Sequence, residues 1–343
     1  MAKDSERLAR NSRITLEVCC GVKPGETVVI VSGKKSLACP DPETYALYAE
    51  ALARAAVDLG AHPVILDLRE FIAGPAFKEG RILEPVSQAL KAADVVIRTM
   101  DDISYGHMVR RDENDDEFLT ATARWVAFQS NGVEKWNITA EEVAATRTRT
   151  ERLIELLSAG KSVRVTSPAG TDFTFSPEPP ARHTPILGIV PLYGEVAISP
   201  KQGSENGTIV VDGPTQQQVR TQDELDREPL RIEVADGTVT GYTGDAEQVE
   251  RLKAFIASGT PPAETIDEVG IPTARTLDND TYWWTDGTHH LERVHIALGN
   301  NADRTNIVHG ARHMDGEVNT PSVSIDGQVI LKDAKFVGPM ADA

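Results

Sequence analysis

Eight histidines occur in the 343 residues, and five of them, His289, His290, His295, His309 and His313, fall between Thr285 and Asp315. The stretch closes on His313-Met314-Asp315, an imidazole and a carboxylate at i and i+2. In a strand both side chains point to one face. A neutral imidazole beside a carboxylate suits a divalent transition ion. Three further residues stand in apolar, β-type surroundings: Glu195 in LYGEV, Glu268 in IDEVGI and His295 in VHIALG. A carboxylate is costly to bury alone, so interior strands here would require a cation or a hydrogen-bond network. Taken singly, each has a plainer meaning: Glu195 on the exposed face of an alternating strand, His295 as a satisfied core histidine. No HExxH and no cysteine pair at ligand spacing occurs, so no standard zinc motif defines the site.

The elements that must position these residues fall into two textures. From the N-terminus, a helical pattern over 4–21 stops at Gly21 and leads into an apolar, β-branched strand, Thr27–Val31. Helix Tyr45–Leu59, strand Pro63–Leu68, helix Val86–Ala92, strand Asp94–Met100, a helical stretch near Asp116–Ala123 and strand Arg124–Gln129 follow. Alternation of helices with uninterrupted apolar strands predicts a largely parallel sheet with crossover helices. A helix over Ala140–Leu157, entered through Asn137-Ile138-Thr139 with Glu141 and Glu142 in its first turn, ends at Ser158-Ala159-Gly160. Beyond it, strands alternate at period two: Ser162–Thr166, Asp172–Phe175, Gly207–Val211, Arg231–Val234 and Val239–Gly241. Turn pairs at Ala169-Gly170, Asp212-Gly213 and Asp236-Gly237 separate several of them, and one helix, Ala246–Ser258, comes later. The expected architecture is an α/β open-sheet domain over 1–160 and an α+β domain of mainly antiparallel strands over 161–343, the second carrying the metal site.

Composition narrows the function. Lys+Arg 35 against Asp+Glu 52 gives a net charge of −17, which argues against nucleic acid and anionic membranes. No apolar run reaches the ~18–20 residues of a membrane span, and MAKDSERLARNSR lacks the apolar core of a signal peptide, so a cytoplasmic protein is expected. Cys19, Cys20 and Cys39 are too few for a disulfide framework, and the first two read as buried thiols. There is no GxGxxG or GxxxxGK[ST], so a bound nucleotide is not expected. Ser32-Gly33-Lys34-Lys35 reads as a βα turn with solvated lysines, and Asp112–Glu117 as a solvated acidic run.

Several words of the sequence, in order, resemble the metallo-aminopeptidases of the thermophilic aminopeptidase T or leucyl aminopeptidase type. Gly21–Ile30 looks like that family's opening strand and Val163–Phe175 like its GTD hairpin. Pro191–Val196 resembles its PDGEV turn, and Asp267–Ile271 occupies the place of an AE-x-GIG motif. His295–Asn300 is nearly its HIALG-D/N-N, while His313–Gly316 and Thr320–Gly327 resemble its closing words. The match is strongest over 162–330. The resemblance implies that Glu195, Glu268, His295, His313 and Asp315 bind one or two divalent ions (Zn, Co, Mn or Fe), that Glu268 is a ligand or the general base, and that the protein is a homodimer. It also implies an amide hydrolase acting on a peptide or small molecule through metal-activated water. One departure stands out. The family's tyrosine seven residues after the HIALG histidine, a candidate oxyanion donor, is Ala302 here. Tyr193 and Tyr282 are candidate substitutes, Trp283 and Trp284 could line a substrate pocket, and His309 adds an imidazole near the closing motif.

Two other readings stay open at this stage. The same fold looks like that of 2,5-dihydroxypyridine 5,6-dioxygenase, a ring-cleaving Fe(II) enzyme, for which His313, Asp315 and His295 would supply a two-His-one-carboxylate face. Against that stands Glu268, at the position that the resemblance gives to that enzyme's other histidine. The remaining reading is a metal-binding homologue without catalysis, for which Ala302 is the argument.

Overall fold

The structure is a computed structural model, and it describes residues 2–32, 42–68, 84–99, 123–127, 139–183, 194–215, 219–259, 264–274, 293–299 and 313–341. Tyr193, Tyr282, Trp283, Trp284, His289, His290, Ala302 and His309 lie outside the described residues, as do Cys39, the lysines after Gly33, the acidic run Asp112–Glu117 and the helix expected near Asp116–Ala123. The fold is mixed α/β with several sheets, most of whose strands pair antiparallel. The described residues up to Val143 form one compact unit and those from Ala144 onward a second.

In the first unit, helix α1 (Ala2–Ile14) runs into a π-helical turn, Thr15–Cys19, closed by Cys20 N–H donating to Thr15 O at 2.9 Å. Strands β1 (Thr27–Ser32), β2 (His62–Asp67), β3 (Val95–Arg98) and β4 (Arg124–Ala127) form a parallel sheet in the order β2-β1-β3-β4. Helices α2 (Pro42–Asp58) and α3 (Glu84–Lys91) supply crossovers. The central strands are apolar throughout because both faces are covered; Val28, Ile30, Val31, Val95, Val96 and Ile97 are fully buried. β2 is equally apolar in sequence but sits at the sheet edge, where Val64 and Ile65 remain exposed. Its Pro63 occupies a tolerated place, since an edge strand can spare a backbone donor.

The second unit is antiparallel. Helix α4 (Ala140–Ala159) opens with the Thr139 hydroxyl accepting from Glu142 N–H at 3.1 Å, the cap the sequence predicts. Strands β5 (Val163–Thr166), β6 (Asp172–Phe175), β7 (Pro177–His183), β8 (Glu195–Pro200), β9 (Asn206–Val211), β10 (Leu230–Ala235) and β11 (Thr238–Thr243) precede helix α5 (Ala246–Ala257). Then come β12 (Ile266–Pro272), β13 (Val294–Gly299), β14 (His313–Val318), β15 (Ser322–Ile325), β16 (Gln328–Lys332) and β17 (Lys335–Phe336). Among the described residues they form an eight-stranded sheet, β11-β10-β9-β6-β5-β15-β16-β17, and a five-stranded one, β14-β13-β12-β8-β7.

Both sheets and both helices of this unit feed one apolar cluster that includes Phe173, Ile209, Ile232, Leu153 and Leu252 with Val196, Val269, Ile296 and Met314. Each such side chain contributes about 1.5–3 kcal/mol on burial. The Asp236-Gly237 pair makes the expected hairpin, with φ of 47° and 78°, between β10 and β11. Asp212-Gly213 does not turn back as a hairpin. The chain instead runs along the edge of β14, Gly213 N–H donating to Glu317 O at 3.0 Å and Glu317 N–H to Pro214 O at 3.1 Å. An edge strand needs such cover, and this one carries part of the site.

Candidate metal centre

The five-stranded sheet has one apolar face and one chemical face. Val196, Ile198, Val269, Ile271, Ile296, Leu298 and Met314 belong to the core cluster. Because side chains alternate, the intervening residues point the other way. In register across β8, β12, β13 and β14 stand Ala197, Gly270, His295 and Glu317; the next row holds Glu268, Ala297 and Asp315. Glu195 pairs with Pro272, and His313 with Gly299. The chemical residues are thus interleaved with alanine and glycine, which leave room above the sheet.

Local packing fixes these strands closely. A β-carbon on Gly194 would lie 2.2 Å from Thr146 Cγ2 and 2.3 Å from Thr273 Oγ1, so only glycine lets the chain enter β8 beneath α4. Thr273 N–H donates to Gly194 O at 2.6 Å, and the Arg149 guanidinium donates to Thr273 O at 2.5 Å. Glu195 therefore starts from a clamped position. On β12 the pairing with β13 shifts between Ile266 and Glu268, a bulge at Asp267. Consecutive residues of a regular strand face opposite ways; the bulge lets Asp267 and Glu268 both reach site histidines.

All five residues assigned by the resemblance come together. His295 Nδ1 lies 3.1 Å from Glu195 Oε2, and its Nε2 lies 3.4 Å from Glu268 Oε1 and 3.8 Å from Asp315 Oδ1. His313 Nε2 lies 2.9 Å from Asp315 Oδ1, and its Nδ1 3.0 Å from Asp267 Oδ2. Glu195 is 4 % exposed, so the plain reading of it as an exposed strand residue does not hold. The His313 side chain keeps 27 % of its surface against 3 % for His295, which makes His313 the solvent-facing member of the group.

Two buried residues on this sheet were not singled out from the sequence. Glu317 continues the period-two series His313, Asp315 and could have been found by extending it. Asp267 could not, because a regular strand would turn it toward the core; only the bulge brings it to His313.

Electrostatics follow from burying so much charge. Glu195, Asp267, Glu268, Asp315 and Glu317 are all at most 4 % exposed. Burial pushes the Glu317 carboxyl well above the usual range, against the lowering effect of Arg293 and His295, and burial likewise raises Asp267. For His295, burial acts to lower the pKa, but the charges of Glu195 and Asp315 and hydrogen bonds to Glu195 and Glu268 outweigh it and hold the ring well above the ordinary value. His313 behaves alike, burial being outweighed by Asp315 and Asp267. A place that holds an extra proton on imidazoles between carboxylates is a place that attracts a cation. The donors fit a divalent metal: Glu195, Glu268 and His295 offer ligand atoms within 4.8 Å of one another, and Asp315 with His313 stands beside them.

Imidazoles and carboxylates converging on one buried face put this chain in the class of metal-dependent enzymes. The profile of the 2,5-dihydroxypyridine 5,6-dioxygenase family matches residues 10–338, and the chain belongs to that family. Among solved structures, the 2,5-dihydroxypyridine dioxygenase from Pseudomonas putida KT2440 is similar at a TM-score of 0.65 and 18 % identity, over 98 % of this chain and 99 % of that one. AmpT from Thermus thermophilus is similar at a TM-score of 0.61 and 13 % identity, over 97 % and 99 %. At these identities the likeness is one of fold, so the aminopeptidase resemblance stands at the level of a shared fold. No curated protein matches the sequence. Among the described residues no helix is long and apolar enough to cross a membrane.

Proposed function

We propose that this protein is an Fe(II)-dependent ring-cleaving dioxygenase acting on a small hydroxylated aromatic or N-heteroaromatic ring. The observation that carries the reading is the orientation of the two imidazoles. Both turn Nε2 toward the same oxygen of Asp315, at 3.8 Å and 2.9 Å, while their Nδ1 atoms face the outer carboxylates Glu195 and Asp267. Each ring lies between carboxylates on both sides, and a cation that displaced the Nε2 protons would leave each Nδ1–H donating to its outer carboxylate and each Nε2 facing the ion. His295, His313 and Asp315 then supply the two-His-one-carboxylate set typical of non-haem Fe(II) oxygenases. Iron(II) held by these three residues would supply the redox chemistry that activates O₂ toward a hydroxylated ring. Glu268, buried beside His295 Nε2, is the base that takes the proton of the ring hydroxyl, and Glu195 keeps the His295 ring oriented. Membership of the dioxygenase family supports the same reading.

A second reading, the aminopeptidase-like hydrolase, is favoured by Glu268 itself, an acid at the position that the resemblance gives to a histidine of the dioxygenase. Glu268 would then take a proton from water and return it to the leaving amine, with Glu195 joining the ligands of one or two Zn, Co or Mn ions. Protein loaded anaerobically with Fe(II) and then given oxygen and 2,5-dihydroxypyridine or dihydroxybenzoates separates the two. Oxygen uptake matched to loss of ring absorbance is expected. Cleavage of aminoacyl amides by Mn(II)-, Co(II)- or Zn(II)-loaded protein, with no oxygen uptake on any ring compound, would replace the first reading by the second. The proposal also takes in a cytoplasmic homodimer with no nucleic-acid partner; light scattering checks the dimer.

A further inference from the structure

We infer that Asp267 is a positioning residue of the metal centre: its carboxylate fixes His313 in the Nδ1–H tautomer and leaves Nε2 for the cation. The inference rests on the metal-dependent reading above and goes beyond it, since that reading gives Asp267 no role. Three observations carry it. First, Asp267 is fully buried, yet its Oδ2 lies 3.0 Å from His313 Nδ1. Second, the contact spans a whole strand. β13 lies between β12 and β14, and its residue in register with His313 is Gly299, which presents no side chain in the way. Third, the approach depends on the bulge, and that bulge is tied down: the Ser199 hydroxyl donates to the Asp267 carbonyl at 2.9 Å.

His313 is the solvent-facing ligand candidate, so it has more rotameric freedom to lose than His295. A carboxylate on the far nitrogen removes that freedom and raises the basicity of the near one, and loss of such a partner typically costs about 10–100-fold in metal affinity. Asp267 does this for His313 as Glu195 does for His295. The histidines of both pairs turn Nε2 toward Asp315.

The test is Co(II) binding, followed by calorimetry and by the visible Co(II) spectrum, in wild type, Asp267→Asn and Ser199→Ala. Asp267→Asn is expected to bind about 10–100-fold more weakly with a shifted Co(II) spectrum. Ser199→Ala, which loosens the bulge that presents the carboxylate but keeps the carboxylate itself, is expected to lower the melting temperature and to weaken Co(II) binding by less than Asp267→Asn does. Wild type that binds Co(II) and Asp267→Asn that matches it within twofold, with an unchanged spectrum, overturns the inference and leaves the metal reading intact. Wild type that binds no Co(II), Zn(II) or Fe(II) overturns both. Should Asp267→Asn fail to fold, long-range ¹H–¹⁵N correlation on Zn(II)-loaded, histidine-labelled wild type decides alone: Nδ1–H on His313 supports the inference, and Nε2–H overturns it.

Discussion

The imidazole of His295 lies over the α-carbon of Gly270: a β-carbon there would stand 2.0 Å from Cε1, 2.4 Å from Nε2 and 2.5 Å from Nδ1. Gly270 has no positive φ, so space and not backbone conformation demands glycine. With the ring seated there, Nδ1 meets Glu195 on one side and Nε2 meets Glu268 on the other. Gly270→Ala must push the ring off its seat. We expect a loss of at least about tenfold in Fe(II) or Co(II) affinity, with about 1–3 kcal/mol of stability lost to overpacking. Gly241→Ala on β11, where nothing lies within 4 Å of an added β-carbon, should change neither. Equal metal affinity in Gly270→Ala and wild type would show that the ring's seat is unimportant.

The metal-free protein should weaken as pH rises. His295 and His313 have folded pKa values raised above the ordinary 6.5, so their contribution is complete below that pH and is lost as pH climbs through the raised values. Asp267 and Glu317 act in the same direction, because burial favours their neutral forms and ionisation at higher pH opposes folding. A bound cation replaces the protons, so affinity should increase with pH while the pH dependence of stability flattens. Thermal melts between about pH 6 and 9, with and without chelator, measure both. A chelated protein whose melting temperature rises across that interval contradicts the account.

Much of this was legible in the residues, and the exceptions have physical reasons. Helical and period-two patterns place α1–α5, β1–β6 and β9–β11 to within a few positions, because core strands and caps obey local rules, whereas β8 and β12–β14 show only as β-type surroundings of single residues and β7 and β15–β17 escape the pattern. The β2 edge was not legible: HPVILD reads the same whether one face or both are covered, and only sheet order decides. Asp212-Gly213 looked like a hairpin turn since turn chemistry is local, whereas its pairing with Glu317 spans about a hundred residues of chain. In the site, His313 and Asp315 declared themselves through i, i+2 spacing. Glu195 and Glu268 needed the family resemblance, as a single acid in a strand carries no spacing signal. Asp267 needed the fold itself, because only the bulge in β12 turns it toward His313.

Away from the site, Glu224 should anchor acid stability. Its carboxylate accepts from Arg251 Nη2 at 2.7 and 2.8 Å and from Thr221 N–H at 3.0 Å. The Arg251 bond first, with help from Thr221, lowers its pKa from 4.5 to about 2 despite burial. A lowered carboxylate stabilises the fold above its unfolded value and loses that contribution as pH falls through the folded one. Glu224→Gln should therefore cost about 2 kcal/mol at neutral pH, with the difference from wild type shrinking between about pH 4.5 and 2. Urea titrations at several pH values give the curve; a pH-independent difference would mean that charge is not the cause.

Glu268→Gln separates the two chemistries as well as testing the base. Glutamine keeps the volume of the buried side chain and one acceptor oxygen but cannot take a proton, so turnover should fall by about 10²–10⁴-fold with the fold retained. Elemental analysis of the loaded variant tells base from ligand: unchanged metal content assigns the loss to proton transfer. The pH profile then tells ring cleavage from hydrolysis. A hydroxylated ring ionises by itself near the tyrosine range of about pH 10, so raising the pH should restore much of the variant's rate if its task is to deprotonate such a ring. In an amide hydrolase the same carboxylate must also hand a proton to the leaving amine, a step that alkali does not replace. Recovery at high pH therefore favours the oxygenase, and a loss that persists across the range favours the hydrolase.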